Sequence, residues 1–294
     1  MTEAEFIAAL RRLPLHPGAR GLRDDVAVVG GLVVTTDTLV EGVHFLPGDP
    51  AGDVAWKLVA ANLSDLAAKG AVPEGVLLSY PLGDPAWDAA FVAGLHDALD
   101  ALACPLIGGD TVSLPAGAPR ILTITALGRD AVAPARSGAR AGDALWVTGT
   151  IGDAGAGLAI ARGAAGPAAL LARYRRPVPR LAEGRALAPL VYAMSDVSDG
   201  LLIDARRMAD ASGLAVTIDL AAVPLAPDWP ADPLAAATAG DDYELLFACP
   251  PELQPPVPAT CVGRLAAGTG LILLDAGRRV PLPPRLGWEH GAPP

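Results

Sequence analysis

The chain has 294 residues, enough for one large or two medium domains, and 52% of them are hydrophobic, many of them alanine, which is ample for a sizeable core. The formal net charge is −10, and Lys57 and Lys69 are the only lysines, so a basic surface for nucleic acid is not expected. No apolar run approaches the ~20 residues of a membrane helix, the acidic start MTEAEFIAALRRL has no secretion-signal pattern, and Cys104, Cys249 and Cys261 lack metal-type spacing, so a cytoplasmic protein with buried free thiols and no membrane partner is expected.

In chain order, apolar spacing at Phe6, Ile7, Leu10 and Leu13 predicts a short helix over 3–13, followed by a Pro/Gly/Arg-rich loop over 14–25. VAVV (26–29) and LVVTTD (32–37), parted by Gly30-Gly31, predict a tight hairpin. Residues 52–69 predict a helix with one Ala/Leu/Trp face, 76–80 a strand, 86–103 an Ala/Leu helix and 121–128 a strand rich in β-branched residues. A polar, turn-rich SGARAGD (137–143) precedes a strand at 144–149, and the domain boundary is placed here, dividing the chain into 1–137 and 138–294. The second half predicts helices over 153–162, 180–190 and 200–212 and strands over 191–196, 215–220, 243–250 and 271–275. RRPVPR reads as a loop between the first two of these helices, and 222–233 and 250–258 also read as loops. Helices and strands mix in both halves, so the fold class is α/β or α+β.

The most informative feature is a set of acids at the ends of apolar runs: Asp24-Asp25, Asp37, Asp65, Asp110, and Asp196 with Asp199. Carboxylates held together by rigid elements repel one another unless a cation lies between them. Oxygen-only donors suit Mg²⁺, Mn²⁺ or Ca²⁺, and Mg²⁺ points to bound phosphates, with which it shares its ligand shell. In SDVSDG (195–200) both aspartates sit at a strand-to-helix turn and can face one point, and Ser198 can cap the helix or touch a phosphate. Plain N-capping would not need all three. Thr35, Thr36 and Asp37 share a strand end, with His44 shortly after; Gly108-Gly109 allows close backbone approach to a ligand; GDDYELLF (240–247) sets two acids before a strand, which a turn explains equally well.

No GxxxxGK[ST], GxSxG, HExxH or kinase catalytic-loop pattern occurs. GDAGAG (152–157) reads loosely as GxGxxG; a helix start there would offer backbone N–H groups to a phosphate, while a Gly/Ala turn before a helix explains the letters as well.

Taken in order, RDDVAVV (23–29), TTDTLVEGVHF (35–45), KLVAANLSDLAAKGA (57–71), LIGGDT (106–111), ARSGARAGD (135–143), VTGTIGDAGAGL (147–158), SDVSDGL (195–201) and GDDYELLF (240–247) resemble the thiamine-monophosphate kinase family. That family belongs to the superfamily of aminoimidazole ribonucleotide synthetase and selenophosphate synthetase. The resemblance spans about residues 24–289. It implies a two-domain architecture, with an N-terminal mixed sheet that forms a homodimer interface and a C-terminal α/β domain. The implied activity is ATP-dependent phosphorylation of thiamine monophosphate to thiamine diphosphate by direct in-line transfer with several Mg²⁺ ions. By position, Asp25, Thr35, Thr36, Asp37, Asp65, Asp110, Asp196 and Asp199 fall where the family binds Mg²⁺. Gly109, Asp110, Arg136 and Ser198 fall at ATP-contacting positions, and His44, Asp241 and Trp288 at positions contacting thiamine monophosphate. No general base is implied; transfer rests on the metals and Arg136.

The chain departs from the family at Asp241, where Glu is usual, at RDD for GDD, and at GWEHG for GWDHF. One other reading is a different ATP-using enzyme of the superfamily. The selenophosphate type is disfavoured by the absence of Cys or a catalytic-type Lys before Asp24, and the C-terminal-Cys maturation type by the ending GAPP. A non-catalytic Mg²⁺/nucleotide-binding regulator would have lost metal aspartates, and none of the matching ones is lost.

Overall fold

A computed structural model describes residues 2–115, 117–129, 132–227 and 232–290. Helix α1 (Glu3–Leu10) begins in a capping box: Thr2 Oγ1 accepts from the Glu5 N–H and the Glu5 carboxylate accepts from the Thr2 N–H. None of its residues is buried.

The first sheet comprises β1 (Ala27–Val29), β2 (Leu32–Val40), β3 (Val72–Leu82), β4 (Leu106–Ser113) and β5 (Ile121–Arg129), in the order β1-β2-β5-β3-β4. The predicted hairpin forms, with Gly30 and Gly31 at φ 60° and 83°, the left-handed pair that a two-residue turn of this hand requires. Only β3 and β4 pair in parallel, joined by a helical crossover. The apolar pattern does not predict β4, because every one of its residues is exposed and no buried face imposes an alternation. Gly109 serves the strand pairing itself: a Cβ there would lie 1.9 Å from Leu78 O of β3.

Helices α2 (Ala51–Ala67) and α3 (Pro85–Ala101) pack against this sheet. They cross at Gly52 and Gly94, where a Cβ on Gly94 would lie 2.2 Å from the Gly52 Cα, while one on Gly52 meets only ordinary contacts from 3.5 Å. Ala favours a helix interior over Gly by about 1 kcal/mol, but overpacking costs about 1–3 kcal/mol. Gly94→Ala should therefore lower the melting temperature and Gly52→Ala should leave it level or raise it, as differential scanning fluorimetry of both variants will read.

The second sheet follows. Its elements are β6 (Ala144–Thr148), α4 (Asp153–Ala161), α5 (Ala168–Arg175), α6 (Leu181–Leu187), β7 (Ala193–Asp196), α7 (Leu201–Ala211), β8 (Leu214–Asp219), α8 (Pro233–Thr238), β9 (Leu245–Cys249), β10 (Ala259–Ala267), β11 (Gly270–Asp275) and β12 (Arg278–Val280). The strand order is β12-β11-β8-β10-β6-β9-β7, with β8–β11 the parallel pair. Both sheets are mixed and carry helices, as the α/β or α+β expectation requires.

Several elements differ from expectation. Helix α5 precedes RRPVPR, and α8, β10 and β12 are additional. Strand β9 starts at Leu245 rather than 243 because Tyr243 has φ 53°, outside extended backbone. Of the loop expected over 222–233, residues 228–231 lie outside the described residues. Cys104 and Cys249 are buried, whereas Cys261 is only partly so. Among the described residues no helix is long and apolar enough to cross a membrane.

Helix α2 was expected to present one apolar face, yet the structure buries nearly all of it. One side packs on the first sheet; its C-terminal end, Ala67 and Ala68, packs with Leu187, Met194, Leu245 and Phe247 of the second half. Gly184 of α6 permits that approach, since a Cβ there would lie 1.9 Å from Ala67 O. The helix is thus a shared wall between the two sheets.

Candidate active site

Because both sides of α2 are covered, its polar residues are buried too: Lys57, Asn62, Ser64 and Asp65. Buried polar groups persist only when bonded; the bonds of Ser64 and Lys57 reach the second half, at Asp196 and Asp241, while those of Asn62 and Asp65 stay within the first. Ser64 Oγ donates to Asp196 Oδ2 at 2.6 Å, and Thr35 Oγ1 of β2 donates to Asp65 Oδ2. Carboxylate oxygens of Asp25, Asp65 and Asp196 all come within 4.8 Å of one another. An aspartate before β1, one on α2 and one at the end of β7 thus meet at one point, separated widely in sequence.

The cations here stand on one side only. Lys69 Nζ lies 2.6 Å from Asp24 Oδ1 and 2.7 Å from Asp25 Oδ2, Arg20 Nη1 lies 2.7 Å from Asp24 Oδ2, and Arg136 Nη2 pairs with Asp25 Oδ1. Burial alone would raise the Asp25 pKa, but Arg136 and Lys69 together hold it well below the usual carboxylate range. No ion pair reaches Asp37, Asp65 or Asp196 among the described residues. Burial, then Asp25 and Asp199, push Asp37 up to about 6. Burial, then Asp25 with Asp204 and Asp37, push Asp196 up to about 8 despite the Ser64 hydrogen bond. Burial, then Asp37, Asp196 and Asp25, raise Asp65 well above its ordinary value.

These raised values carry a sign. A carboxyl with a folded pKa above its unfolded value of about 4 stabilises the fold below that pH, and the contribution is lost as pH rises through the folded pKa. Without divalent ions, stability should fall between pH 5 and pH 8.5, by about 5 °C or more in melting temperature. Thermal melts in EDTA across that range test this; a flat or rising profile would show that the cluster does not hold protons in place of metal.

The remaining residues expected at the site are distributed as follows. Asp199 pairs with Arg207 and its carbonyl accepts the Trp288 N–H at 2.9 Å, while the Asp204 carboxylate accepts the N–H groups of Ser198, Asp199 and Gly200 at 3.1–3.2 Å. The hydroxyl of Thr36, next to Thr35, donates to Ile124 O and accepts from the Thr125 hydroxyl, on the opposite, exposed face of the sheet. Asp110 is in register with Ser79, Ser79 with Thr123, and Thr123 with Thr38, whose hydroxyls meet at 2.8 Å; this row also stands on that opposite face, away from the cluster. The N–H groups of Gly152 and Ala154 at the start of α4, in GDAGAG, are taken by the Asp242 carboxylate at 2.7 and 3.1 Å. Both helix starts near the site are therefore capped from within the chain.

A second group adjoins the cluster. Lys57 Nζ lies 2.7 Å from Asp241 Oδ2, 2.9 Å from His44 O and 4.2 Å from the centre of the Tyr174 ring. Tyr243 Oη donates to Asp241 Oδ1 at 3.2 Å. Asp241 and Tyr243 both have left-handed backbone, φ 70° and 53°, the kind of strain that concentrates at functional sites. Burial lowers the His44 pKa, and its Nδ1 accepts the Val40 N–H at 3.0 Å, so the ring is neutral. The His290 ring bridges it to Trp288, at 5.5 Å and 6.3 Å between centroids. Trp288 is 48% exposed.

The donor set fits a hard divalent cation: three buried carboxylates at one point, those of Asp65 and Asp196 without a protein counter-charge. Motif reading assigned no site role to Lys57, Lys69, Ser64, Asp204 or Arg207, and read Asp242 as one of two acids before a strand. One signal was available: both lysines of the chain flank NLSD on one predicted helix.

A two-domain α/β architecture with a carboxylate centre between its sheets is the class these features define. The AIR synthase related protein N-terminal domain matches residues 23–129 and the corresponding C-terminal domain residues 140–267. The chain belongs to this family, in its thiamine-monophosphate kinase branch. It is 39% identical to the thiamine-monophosphate kinase of Caulobacter vibrioides, over 99% of this chain and 91% of that protein. It is 38% identical to that of Escherichia coli K12, over 93% and 92%. A solved structure described as AaThiL complexed with AMPPCP and TMP superposes with a TM-score of 0.86 at 30% identity, covering 98% of this chain and 97% of that one. The chain is an enzyme, a phosphotransferase with a phosphate group as acceptor.

Proposed function

We propose that the chain transfers the γ-phosphoryl group of ATP to thiamine monophosphate, giving ADP and thiamine diphosphate, by direct in-line displacement assisted by several Mg²⁺ ions. The observation that carries this reading is the meeting of Asp25, Asp65 and Asp196 at one point in a chain that aligns almost end to end with thiamine-monophosphate kinases. An acceptor phosphate oxygen attacks the γ-phosphorus as the β,γ-bridging P–O bond breaks, and ADP departs. A phosphate monoester has a second pKa of about 6, so the acceptor is already ionised at neutral pH and no general base is needed. Asp25, Asp37, Asp65, Asp196 and Asp199, with Thr35, would hold Mg²⁺, which when bound neutralises the two polyanions and the charge of a loose transition state. Asp110, Thr36, Gly109 and Ser198 enter by their motif positions. Arg136 already points into the cluster, and its guanidinium can turn from Asp25 to a phosphate in a bidentate contact.

His44, Asp241 and Trp288 would receive thiamine monophosphate. A cationic thiazolium over the exposed indole is worth about 0.5–2 kcal/mol. Lys57 and Tyr243 fix both Asp241 oxygens, which compensates for the shorter arm of Asp where the family usually carries Glu. We divide the chain into 1–137 and 138–294, a reading supported by β1–β5 preceding that boundary and β6–β12 following it. We place the partner copy of a homodimer on the first sheet, whose edge strand β4 leaves Leu106, Ile107 and Val112 exposed. Light scattering of wild type and Ile107→Asp tests that interface.

The test of the activity is a coupled assay with ATP, Mg²⁺ and thiamine monophosphate, with thiamine and aminoimidazole-pathway substrates in parallel. Mg²⁺-dependent thiamine diphosphate from the monophosphate alone supports the reading. No product from it, with turnover of another acceptor, would replace the substrate.

A further inference from the structure

Lys69 occupies an unusual place for a lysine. Its side chain is 0% exposed, and its ammonium makes bonds to Asp24 Oδ1 (2.6 Å), Asp25 Oδ2 (2.7 Å) and Met194 O (2.9 Å). That uses all three of its donors. It stands just past the last turn of α2, where carbonyl groups also favour a positive charge. The other oxygens of the two aspartates face Arg20 and Arg136, so this half of the acidic centre is neutralised by the chain itself. The other half is not: among the described residues Asp65 and Asp196 accept only hydroxyl hydrogens, from Thr35 and Ser64.

We propose that Lys69 is a resident cation of the acidic centre, holding between Asp24 and Asp25 the place and charge that a divalent ion would otherwise take, and so limiting how many divalent ions the centre binds. Met194 O and the two carboxylates around its ammonium form an all-oxygen donor set of the kind hard divalent ions use. The ammonium gives that half a counter-charge independent of metal supply and leaves Asp37, Asp65 and Asp196, with Asp25 through the oxygen that Arg136 would vacate, as the side that exchanges ions. This rests on the metal reading given under Proposed function.

The experiment counts bound Mn²⁺ per chain, with Mn²⁺ alone and no nucleotide, by titration calorimetry and electron paramagnetic resonance. It compares wild type, Lys69→Met and Asp24→Asn/Lys69→Met. Lys69→Met keeps the apolar stem and removes the ammonium. It should bind one more Mn²⁺ than wild type and melt about 10 °C lower in EDTA, since breaking a buried pair leaves uncompensated charge; Mn²⁺ should recover most of the loss. The double variant removes one charge of each sign, so it should return to the wild-type count and melt in EDTA near wild type. If Lys69→Met folds only with Mn²⁺ present, the count is made on protein refolded in Mn²⁺, and the metal requirement is itself the expected result. Equal counts in wild type and Lys69→Met, or an extra ion that persists in the double variant, overturn the proposal. A count of zero in wild type and one in Lys69→Met supports the displacement of an ion by Lys69 and confines the other ions to the nucleotide complex; zero in both overturns the proposal.

Discussion

Replacing Asp65 with asparagine is expected to abolish phosphoryl transfer and at the same time to stabilise the metal-free chain. Asp65 lies at the meeting point of the acidic cluster, and burial together with Asp37, Asp196 and Asp25 disfavours its ionised form. Asparagine keeps the volume and still accepts the Thr35 hydroxyl bond, so the packing of α2 on β2 is retained. What is lost is one negative charge of the ion-binding set. Removing a single electrostatic stabiliser of a transition state commonly costs about 10²–10³-fold in kcat, and a carboxylate shared among several ions should reach or exceed the upper figure. In EDTA the same change relieves repulsion and should raise the melting temperature by a few degrees, about 1 kcal/mol being worth about 2–4 °C in a chain of this size. The opposite signs distinguish a metal-binding from a structural aspartate. The assay and an EDTA melt are run on the same preparation; retained turnover with a lower melting point would remove Asp65 from the ion-binding set.

A large stability loss is also expected away from the ions, at Arg180. Its Nε and Nη2 bind both oxygens of Glu244, which is 2% exposed and also accepts the Thr148 hydroxyl at 2.7 Å. This pair ties the start of α6 to the residue preceding β9. Arg180→Ala would leave a buried carboxylate without its partner, which costs about 3–5 kcal/mol. Arg180→Met with Glu244→Gln removes both charges and should recover most of that loss, because a buried pair replaced together is often near neutral. Urea denaturation midpoints of the single and double variants measure the difference. A single variant within about 1 kcal/mol of wild type would show that water solvates Glu244 readily. Asp241 lies three residues before Glu244, so the single variant should also raise the KM for the acceptor, through the loop that aims that side chain.

Much of the fold is legible from pattern alone. The hairpin at Gly30-Gly31 follows from local turn chemistry, and α3 from its Ala/Leu content and the Asp84 cap ahead of Pro85. The strands with one covered face follow from their alternation. Elements without such a local signature are missed for identifiable reasons: β4 has no buried face, and Tyr243 leaves the strand because it adopts left-handed backbone. The site shows the same division. The aspartates stand out because they end apolar runs. Lys57 and Lys69 do not, since a lysine in a helix pattern ordinarily reads as a solvated residue.

What the sequence determined by itself is the inventory: the acids at element ends, the phosphate-handling motifs in order, and two lysines on a single helix. Periodicity and turn chemistry act over a few residues, so they carry that information without the rest of the chain. What the tertiary structure decided is which of those groups meet. Covering both sides of α2 buries Lys57, Ser64 and Asp65, and brings Asp25, Asp65 and Asp196 to one point. It turns Thr36 and Asp110 to the opposite face of the sheet. It also gives Asp25 two cations and, among the described residues, Asp65 none. Charge, burial and proton affinity at this centre depend on contacts between residues far apart in the chain, and only the packing of the two sheets around one helix sets those contacts.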